Sequence, residues 1–273
     1  MKNIYFLLLI FVILFNSCEE LEQSIVPGWS KKYPAKLNME WEYNTIMVIE
    51  YYDTTGIIIN SETRDLGNTI VRIIKTDDTL GTYQNLIKFE SFDIESSGIS
   101  DYLWYENSDS GLSAIAYSIA GSSQLVVPKI QQKHYLTLNE LLSLINSPEL
   151  SIKTSKPKYP ADSILYYEVP RKVLAYPLTI NKRWVELVYP WYRERYVDKS
   201  VNINFNGQIL YCYVIKVEWS GFNIEFNDYV SLSNGLIKRE IIADSIMFTS
   251  ETNPDSGSYG RVSSYSDLVR SNE

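Results

Sequence analysis

The stretch YPAKLNMEW at residues 33–41 occurs again, in altered form, as YPLTINKRW at residues 176–184. Four positions are identical in the two stretches, and a fifth exchanges leucine for isoleucine. The identical residues are Tyr33, Pro34, Asn38 and Trp41, matched by Tyr176, Pro177, Asn181 and Trp184. Such a recurrence at a long interval predicts two copies of one structural unit, in which these residues serve the scaffold.

Two further blocks follow in the same order. Residues 83–90 match residues 211–218, and a weaker block pairs Asp101-Tyr102-Leu103 and Gly111-Leu112 with Asp228-Tyr229-Val230 and Gly235-Leu236. Because three ordered matches are improbable by chance, we predict a first unit at 33–130 and a second unit with the C-terminal tail at 171–273.

Both units have the apolar alternation and the turn residues of antiparallel strands. Asn206-Gly207 is a strong hairpin signal, and the tail carries apolar residues that suit a closing strand. In the second unit, residues 184–196 correspond to the first strand, at 41–52. Between Ile209 and Trp219 the odd positions are apolar, which predicts one buried face. The fold class is therefore all-β, with two antiparallel units that form a curved sheet, a sandwich or a half-barrel.

One short helix is predicted between the units, within a connector at 131–170. Thr137 and Glu140 have the spacing of a capping box, and an apolar stripe follows up to Pro148. This helix is expected to cover an open end of the core.

The N-terminus has the features of a secretion signal. Lys2 precedes an apolar run from Ile4 to Phe15, which is too short to span a bilayer as a helix, and Ser17 precedes Cys18. The segment resembles a bacterial lipoprotein signal, although Phe15 stands where leucine is usual. The resemblance implies cleavage after residue 17 and attachment of fatty acids such as palmitate to Cys18. Residues 18–32 would then be the acylated cysteine and a tether.

Charge limits the partners. The chain has 25 Lys and Arg against 33 Asp and Glu, a net charge of −8, and no basic run. Nucleic-acid binding depends on neutralising phosphates, so this partner is excluded. The acidic chain also gains nothing at an anionic lipid surface, and membrane attachment must therefore come from the acyl chains on Cys18.

Catalytic and metal-binding patterns are missing from the sequence. The only histidine is His134, no G-x-S-x-G elbow occurs, and zinc spacing is absent. Cys212 lies within a predicted strand and is expected to be a buried apolar residue. We therefore predict no catalytic residue, no metal site, no cofactor and no enzymatic activity.

Paired carboxylates leave one enzymatic alternative open. Glu90 and Glu218 are matched in the repeated blocks, and glycoside hydrolysis uses two carboxylates at a fixed separation. Each of them lies two residues after a lysine, which is typical of charge pairs on a solvated strand face.

The best candidate for a binding surface is the stretch 189–196. Aromatic and arginine side chains suit sugar stacking or a protein partner. The candidate residues are Trp191, Tyr192, Arg193, Arg195 and Tyr196. The alternative is an amphipathic strand with Pro190 at an edge or a bulge.

The Y-P-x-x-[LI]-N-x-x-W pattern resembles that of uncharacterised, β-rich secreted lipoproteins of Bacteroidota-like bacteria. Asn38 and Asn181 stand where glycine is frequent in that group. The resemblance implies a lipid-anchored protein of the cell envelope, at the periplasmic or surface face of the outer membrane. We expect a binding or structural role, with an envelope protein, a glycan or a lipid as ligand. The alternatives are a carrier of lipid or other hydrophobic cargo on a concave sheet, and a carboxylate-dependent glycan hydrolase.

Overall fold

The fold is taken from a computed structural model of the chain. Cys18, His134, Trp191 and residues 138–150, where most of the predicted helix would lie, are outside the described residues. The structure describes residues 32–94, 100–118, 136–137, 164–188, 192–219, 223–250 and 253–272.

The described residues form thirteen β-strands, which confirms the predicted all-β class. In this part of the chain, no helix has the length and apolar character needed to cross a membrane. The strands are β1 Glu40–Tyr52, β2 Ile58–Leu80, β3 Tyr83–Asp93, β4 Asp101–Ser108, β5 Gly111–Ser118, β6 Leu136–Thr137, β7 Ile164–Ala175, β8 Arg183–Leu187, β9 Arg193–Phe205, β10 Gln208–Trp219, β11 Ile224–Ser231, β12 Gly235–Ser250 and β13 Asn253–Asn272.

Twelve of these strands form one antiparallel sheet in the order β7-β5-β4-β3-β2-β1-β13-β12-β11-β10-β9-β8, and the short β6 lies parallel to β12. The two ends of the sheet approach each other, since the indole Nε1 of Trp184 in β8 donates to the carbonyl oxygen of Lys172 in β7 at 2.9 Å. The sheet is therefore a nearly closed, barrel-like structure with an enclosed interior.

The strand order has two matching halves. Strands β1 to β5 follow one another across the sheet, and β8 to β12 do the same. Each run ends in a sixth strand that leads to the other run: β7 pairs with β5 and approaches β8, while β13 pairs with β12 and β1. The tail of the chain thus forms a closing strand, as its apolar residues predict.

The repeated motif adopts the same backbone geometry in both places. Asn38 and Asn181 have positive φ angles of 65° and 68°, a conformation that asparagine tolerates better than most residues. The amide of Asn38 donates to the carbonyl of Ile73 at 2.9 Å, and that of Asn181 donates to Val197 at 2.7 Å. This shared turn supports the predicted duplication.

The aromatic residues of the motif join the two halves. Trp41 is 1% exposed, stacks on Phe89 with ring centroids 6.1 Å apart, and donates from Nε1 to the carbonyl of Asn234 at 2.6 Å. The hydroxyl of Tyr176 accepts a hydrogen bond from the backbone amide of Tyr33 at 2.8 Å. The first tyrosines of the two motifs are therefore in direct contact.

The predicted strand at 184–196 is wrong. Residues 183–187 form β8 and residues 193–205 form β9, and the two strands pair antiparallel with Trp184 opposite Arg195. The chain therefore reverses between them. Arg193 and Arg195 belong to the counterpart of β2 rather than of β1.

Two other boundaries need correction. The connector predicted to reach residue 170 ends earlier, because β7 begins at Ile164 and pairs with β5. In β10 the predicted burial of the odd positions holds for Tyr213, Ile215, Val217 and Trp219 but not for Ile209, which is exposed. Nearer its start, Leu210 and Cys212 are buried in a cluster with Trp41, so this strand packs residues on both faces.

Two Asn-Gly turns give a matched test of this packing. A Cβ at Gly235, where φ is 91°, would lie 2.9 Å from both Trp41 Nε1 and Tyr33 Oη, whereas a Cβ at Gly207, where φ is 84°, would meet nothing within 4 Å. We expect Gly207→Ala to cost about 1 kcal/mol for the backbone conformation alone. Gly235→Ala should cost about 1–3 kcal/mol more, because Trp41 must move. Urea denaturation of both variants measures this difference, and equal costs would contradict the described contact.

Candidate functional site

The structure places the predicted binding residues on different sides of the sheet. Tyr192 is exposed and Tyr196 is half-buried under the guanidinium of Arg183, 4.3 Å from its ring centroid. In contrast, Arg193 and Arg195 are 1% and 4% exposed. These two arginines face the interior, so they do not form an exposed surface with Tyr192 and Tyr196. They are buried because inward-facing carboxylates compensate their charges.

Glu186, on β8, is the centre of this buried charge. Its side chain is fully buried and contacts three arginines. Arg171 Nη2 lies 2.5 Å from Oε1, Arg195 Nε lies 2.7 Å from Oε2, and Arg193 Nη2 lies 3.2 Å from Oε2. Strands β7, β8 and β9 are thus connected through one carboxylate.

Asp228, on β11, extends the network. Arg195 Nη1 donates to Oδ2 of Asp228 at 3.0 Å, and Arg239 Nε donates to Oδ1 at 2.6 Å. Ion pairs therefore run continuously from Arg171 through Glu186, Arg195 and Asp228 to Arg239. We call the six residues Arg171, Glu186, Arg193, Arg195, Asp228 and Arg239 the arginine cluster.

Aromatic rings surround the arginine cluster. The guanidinium carbons of Arg239, Arg195 and Arg193 lie 4.8, 5.5 and 5.9 Å from the centroid of the Phe226 ring. Arg193 also lies over Trp219 at 4.7 Å. The negative faces of these rings help to stabilise cations that have been withdrawn from water.

Both carboxylates of the arginine cluster remain ionised. Burial raises the pKa of Glu186, but Arg195, Arg171 and Arg193 outweigh it and hold this pKa far below the ordinary value. Burial acts in the same way on Asp228, and Arg239 and Arg195 hold its pKa below the usual range. The two groups are therefore fixed anions at neutral pH.

Arg239 is the accessible end of the network. Its neighbours along β12, Lys238 and Glu240, form an ion pair with each other at 2.9 Å, whereas Arg239 points inward to Asp228. Even so, 34% of the Arg239 side chain is accessible. Tyr105 of β4 approaches from across the interior and is also only half-buried. Arg239 and Tyr105 are therefore only partly shielded from solvent.

Five of the six cluster residues lie on β8 to β12, and Arg171 lies on β7, the sixth strand of the first run. Ile87 and Ile215 occupy the same position in the repeated blocks. Ile215 lies opposite Asp228 and Ile87 lies opposite Tyr105, so the counterpart of Asp228 is Tyr105. The predicted match of Asp228 with Asp101 is therefore wrong by four residues. The same pairings give first-half counterparts for four of the six cluster residues. Tyr43 corresponds to Glu186, Val71 to Arg195, Tyr105 to Asp228, and Ala114 to Arg239. All four counterparts are uncharged.

Sequence reasoning identified Arg193 and Arg195 but missed the other members of the arginine cluster. The available signal was a charged residue at an inward-facing strand position. Phe226, Asp228 and Val230 occupy every second position of β11 and are all buried. Charge at such positions requires partners on other strands, and a single strand does not reveal them.

The other carboxylates that were considered for catalysis are separate from this network. Glu90 Oε2 lies 2.6 Å from Arg72 Nε, its neighbour across the β2–β3 pair, and Glu218 Oε2 lies 2.9 Å from Arg183 Nη1. Both glutamates form ion pairs between strands, as predicted, but with arginines, and only Glu218 lies on a solvated face, because Glu90 is 8% exposed. Glu90 and Glu218 lie on β3 and β10, which are well separated in the sheet order.

Cys212 is fully buried, as predicted, and burial raises the pKa of its thiol to about 12. The thiol is therefore protonated and unreactive near neutral pH. Within the ranges that the structure describes, no three histidine, cysteine or acidic side chains are grouped so that they could hold a metal ion.

Comparison with known proteins gives no family for this chain. No protein-family model matches it, and no curated protein matches its sequence. The arginine cluster is therefore interpreted from its own geometry.

Proposed function

We propose that this protein is a lipid-anchored component of the bacterial cell envelope that binds a ligand without catalysing a reaction. The observation that carries the proposal is the arginine cluster, which is enclosed by the sheet and accessible at Arg239. Charged groups are costly to bury, and four of the six cluster residues have uncharged counterparts at the matched positions of the first run. A requirement of a duplicated scaffold alone would place charges at the matched positions as well.

The geometry supports binding over glycan hydrolysis. A glycosidase needs one carboxyl group whose raised pKa keeps it protonated as the general acid. Glu186 and Asp228 have lowered pKa values and are occupied by arginines. They therefore suit the positioning of cations rather than proton transfer.

A carrier of hydrophobic cargo is the second candidate. Apolar clusters fill much of the interior, and they include Trp41, Phe89 and Ile237, each at most 5% exposed. A wholly apolar cargo would leave the accessible part of Arg239 without water or a polar partner, which is unfavourable. A cargo with a polar end avoids this cost.

The anchor is proposed from Cys18, at the outer membrane, with acyl chains as the membrane contact. In cells fed with radiolabelled palmitate, we expect the protein to become labelled and Cys18→Ala to remain unlabelled. Cys212→Ala is the control and should retain the label, because Cys212 is buried within the sheet. Label on the Cys18→Ala protein would show that the anchor is elsewhere.

Ligand binding is tested by native mass spectrometry of residues 19–273, secreted without the anchor and purified under gentle conditions. A reproducible added mass is the expected result and would identify the ligand class. A single mass equal to that of the polypeptide would favour a purely structural role.

A further inference from the structure

We infer that two copies of this chain pair with each other along the free edge of β2, in antiparallel orientation and centred on Thr63. This surface for self-association is separate from the arginine cluster and does not depend on the proposed ligand binding. Two features of β2 carry the inference: a sheet edge that the described strands leave open, and charges along that edge that match those of a second copy.

The first part of β2 has a strand on one side only. β2 pairs with β1 from Ile58 onward, but its pairing with β3 begins at Thr69. Among the described residues, the stretch 58–67 therefore has a free edge, and its pairing with β1 is regular from Asn60 to Asp65. Such an edge presents backbone N–H and C=O groups that can pair with a strand of another chain.

This stretch of β2 projects into solvent on both faces of the sheet. Residues 58–61 and 63–66 are exposed, and Glu62 between them is half-buried. Ile59 and Leu66, near its two ends, are 66% and 46% exposed. A partner strand therefore has access to the edge and would cover apolar side chains as well as backbone groups.

The charges on the edge favour a second copy as the partner. Glu62 and Arg64 lie on the same face of β2 and form an ion pair, with Arg64 Nε 2.5 Å from Glu62 Oε1. When Thr63 of one copy lies opposite Thr63 of another, Glu62 of each copy lies directly opposite Arg64 of the other. Opposite charges at directly facing positions stabilise an antiparallel pair. Two-fold symmetry produces this contact twice, so four charges alternate in sign around the axis.

The same charges define the register of the two copies. A pairing centred on Glu62 would place two glutamates opposite each other, and one centred on Arg64 would do the same with two arginines. Like charges at facing positions are destabilising, whereas the centre at Thr63 adds a favourable pair of threonines. Charges on an edge usually prevent pairing with unrelated strands, and here they discriminate in favour of the chain's own copy.

The edge is held in its extended form before any partner binds. In the turn before β2, the Oδ1 atom of Asp53 accepts hydrogen bonds from the backbone amides of Thr55 at 2.8 Å and Ile57 at 2.9 Å. Since β1 already pairs with the whole stretch, association orders little additional backbone, and its entropic cost is correspondingly small.

Cysteine cross-linking of the full chain, in the cells that produce it, tests the register. In Thr63→Cys the two new cysteines face each other, with Cα atoms about 4.5–5.5 Å apart, which is within reach of a disulfide. Ser61→Cys is the matched control, because its two cysteines would lie four residues apart along the ladder, at about 13 Å. After mild oxidation, we expect a covalent dimer of Thr63→Cys on non-reducing gels, and none of Ser61→Cys or of the wild type, whose Cys212 is buried.

Three outcomes of the cross-linking would overturn the inference. They are the absence of a Thr63→Cys dimer, equal amounts of dimer in Thr63→Cys and Ser61→Cys, and a cross-linked product whose mass differs from that of two chains. The last outcome would show that another protein occupies the edge.

Charge reversal tests the proposed complementarity. Glu62→Arg and Arg64→Glu each place like charges opposite one another at both symmetric positions, so each variant alone should dimerise at least tenfold more weakly than the wild type. A mixture of the two variants should form the dimer again, because every arginine then faces a glutamate. The two side chains are 40% and 46% exposed, so we expect both variants to fold.

Sedimentation equilibrium of the full chain, extracted from membranes in a mild detergent, measures the association of the charge variants. Unchanged association in Glu62→Arg and Arg64→Glu alone would contradict the assigned pairing. A mixture that remains monomeric would contradict it as well.

Discussion

Replacing Glu186 with glutamine is expected to destabilise the protein by about 3–5 kcal/mol, because it leaves buried arginines without their shared anion. Glutamine has nearly the same shape, so the loss comes from charge rather than from packing. Arg195, Arg171 and Arg193 would all lose an ionic partner in a region without bulk water. The free energy of unfolding, measured by urea denaturation at pH 7, tests this expectation.

Glu218→Gln is the matched control for Glu186→Gln. Glu218 is also paired with an arginine, Arg183, but its side chain is 53% exposed, so we expect little change in stability. A loss in Glu186→Gln no larger than that in Glu218→Gln would contradict the buried network.

The same network predicts how stability depends on pH. The pKa of Glu186 is lowered in the folded protein from an ordinary value of 4.5, so its stabilising contribution is fully present above about pH 4.5. This contribution is lost as the pH falls from there toward the folded-state pKa. The unfolding free energy of the wild type should therefore fall more steeply below about pH 4.5 than that of Glu186→Gln. Parallel curves would show that Glu186 is not held ionised by the fold.

The second large effect is expected for Trp41→Ala, at about 3–5 kcal/mol. Trp41 is almost fully buried and stacks on Phe89, so its removal leaves a large cavity. It also removes the donor to the carbonyl of Asn234, which would then lack this partner in the interior. Urea denaturation again provides the measurement.

Ile209→Ala controls for the loss of apolar surface, because Ile209 is 61% exposed on β10. We expect this change to stay within about 0.5 kcal/mol of the wild type. If Trp41→Ala were equally mild, the motif tryptophan would not be part of the core as described.

Local patterns were sufficient to predict much of the fold. Asn206 and Gly207 have the positive φ angles of 51° and 84° that their hairpin signal predicts, and β9 and β10 pair across them. The duplicated asparagines likewise adopt the same turn in both motifs. These features depend on a few neighbouring residues, and for this reason sequence alone reveals them.

The errors arose where distant strands decide the outcome. The reversal between β8 and β9 was missed because residues 184–196 were matched as a whole to the strand at 41–52, and Pro190 was interpreted as an edge or bulge position. Arg193 and Arg195 were assigned to a binding surface because arginines are usually exposed. Their burial depends on Glu186, on the other side of that reversal, and on Asp228, two strands away in the sheet.

The duplication remains a prediction that the matching motifs and strand order support. It also explains why the arginine cluster stands out, because Tyr43, Val71, Tyr105 and Ala114 are the uncharged counterparts of four of its members. At these four positions the first half forms the matching strands without charges. The charges of the second half are an addition, which we attribute to ligand binding.

Native mass spectrometry of three proteins, isolated from the cells that produce them, tests this account most directly. The proteins are residues 19–273 of the wild type and the same residues with Arg239→Met or Arg270→Met. We predict an added mass on the wild type and on Arg270→Met, and the polypeptide mass alone for Arg239→Met. The account would be contradicted by a wild type without added mass, or by the same added mass on Arg239→Met.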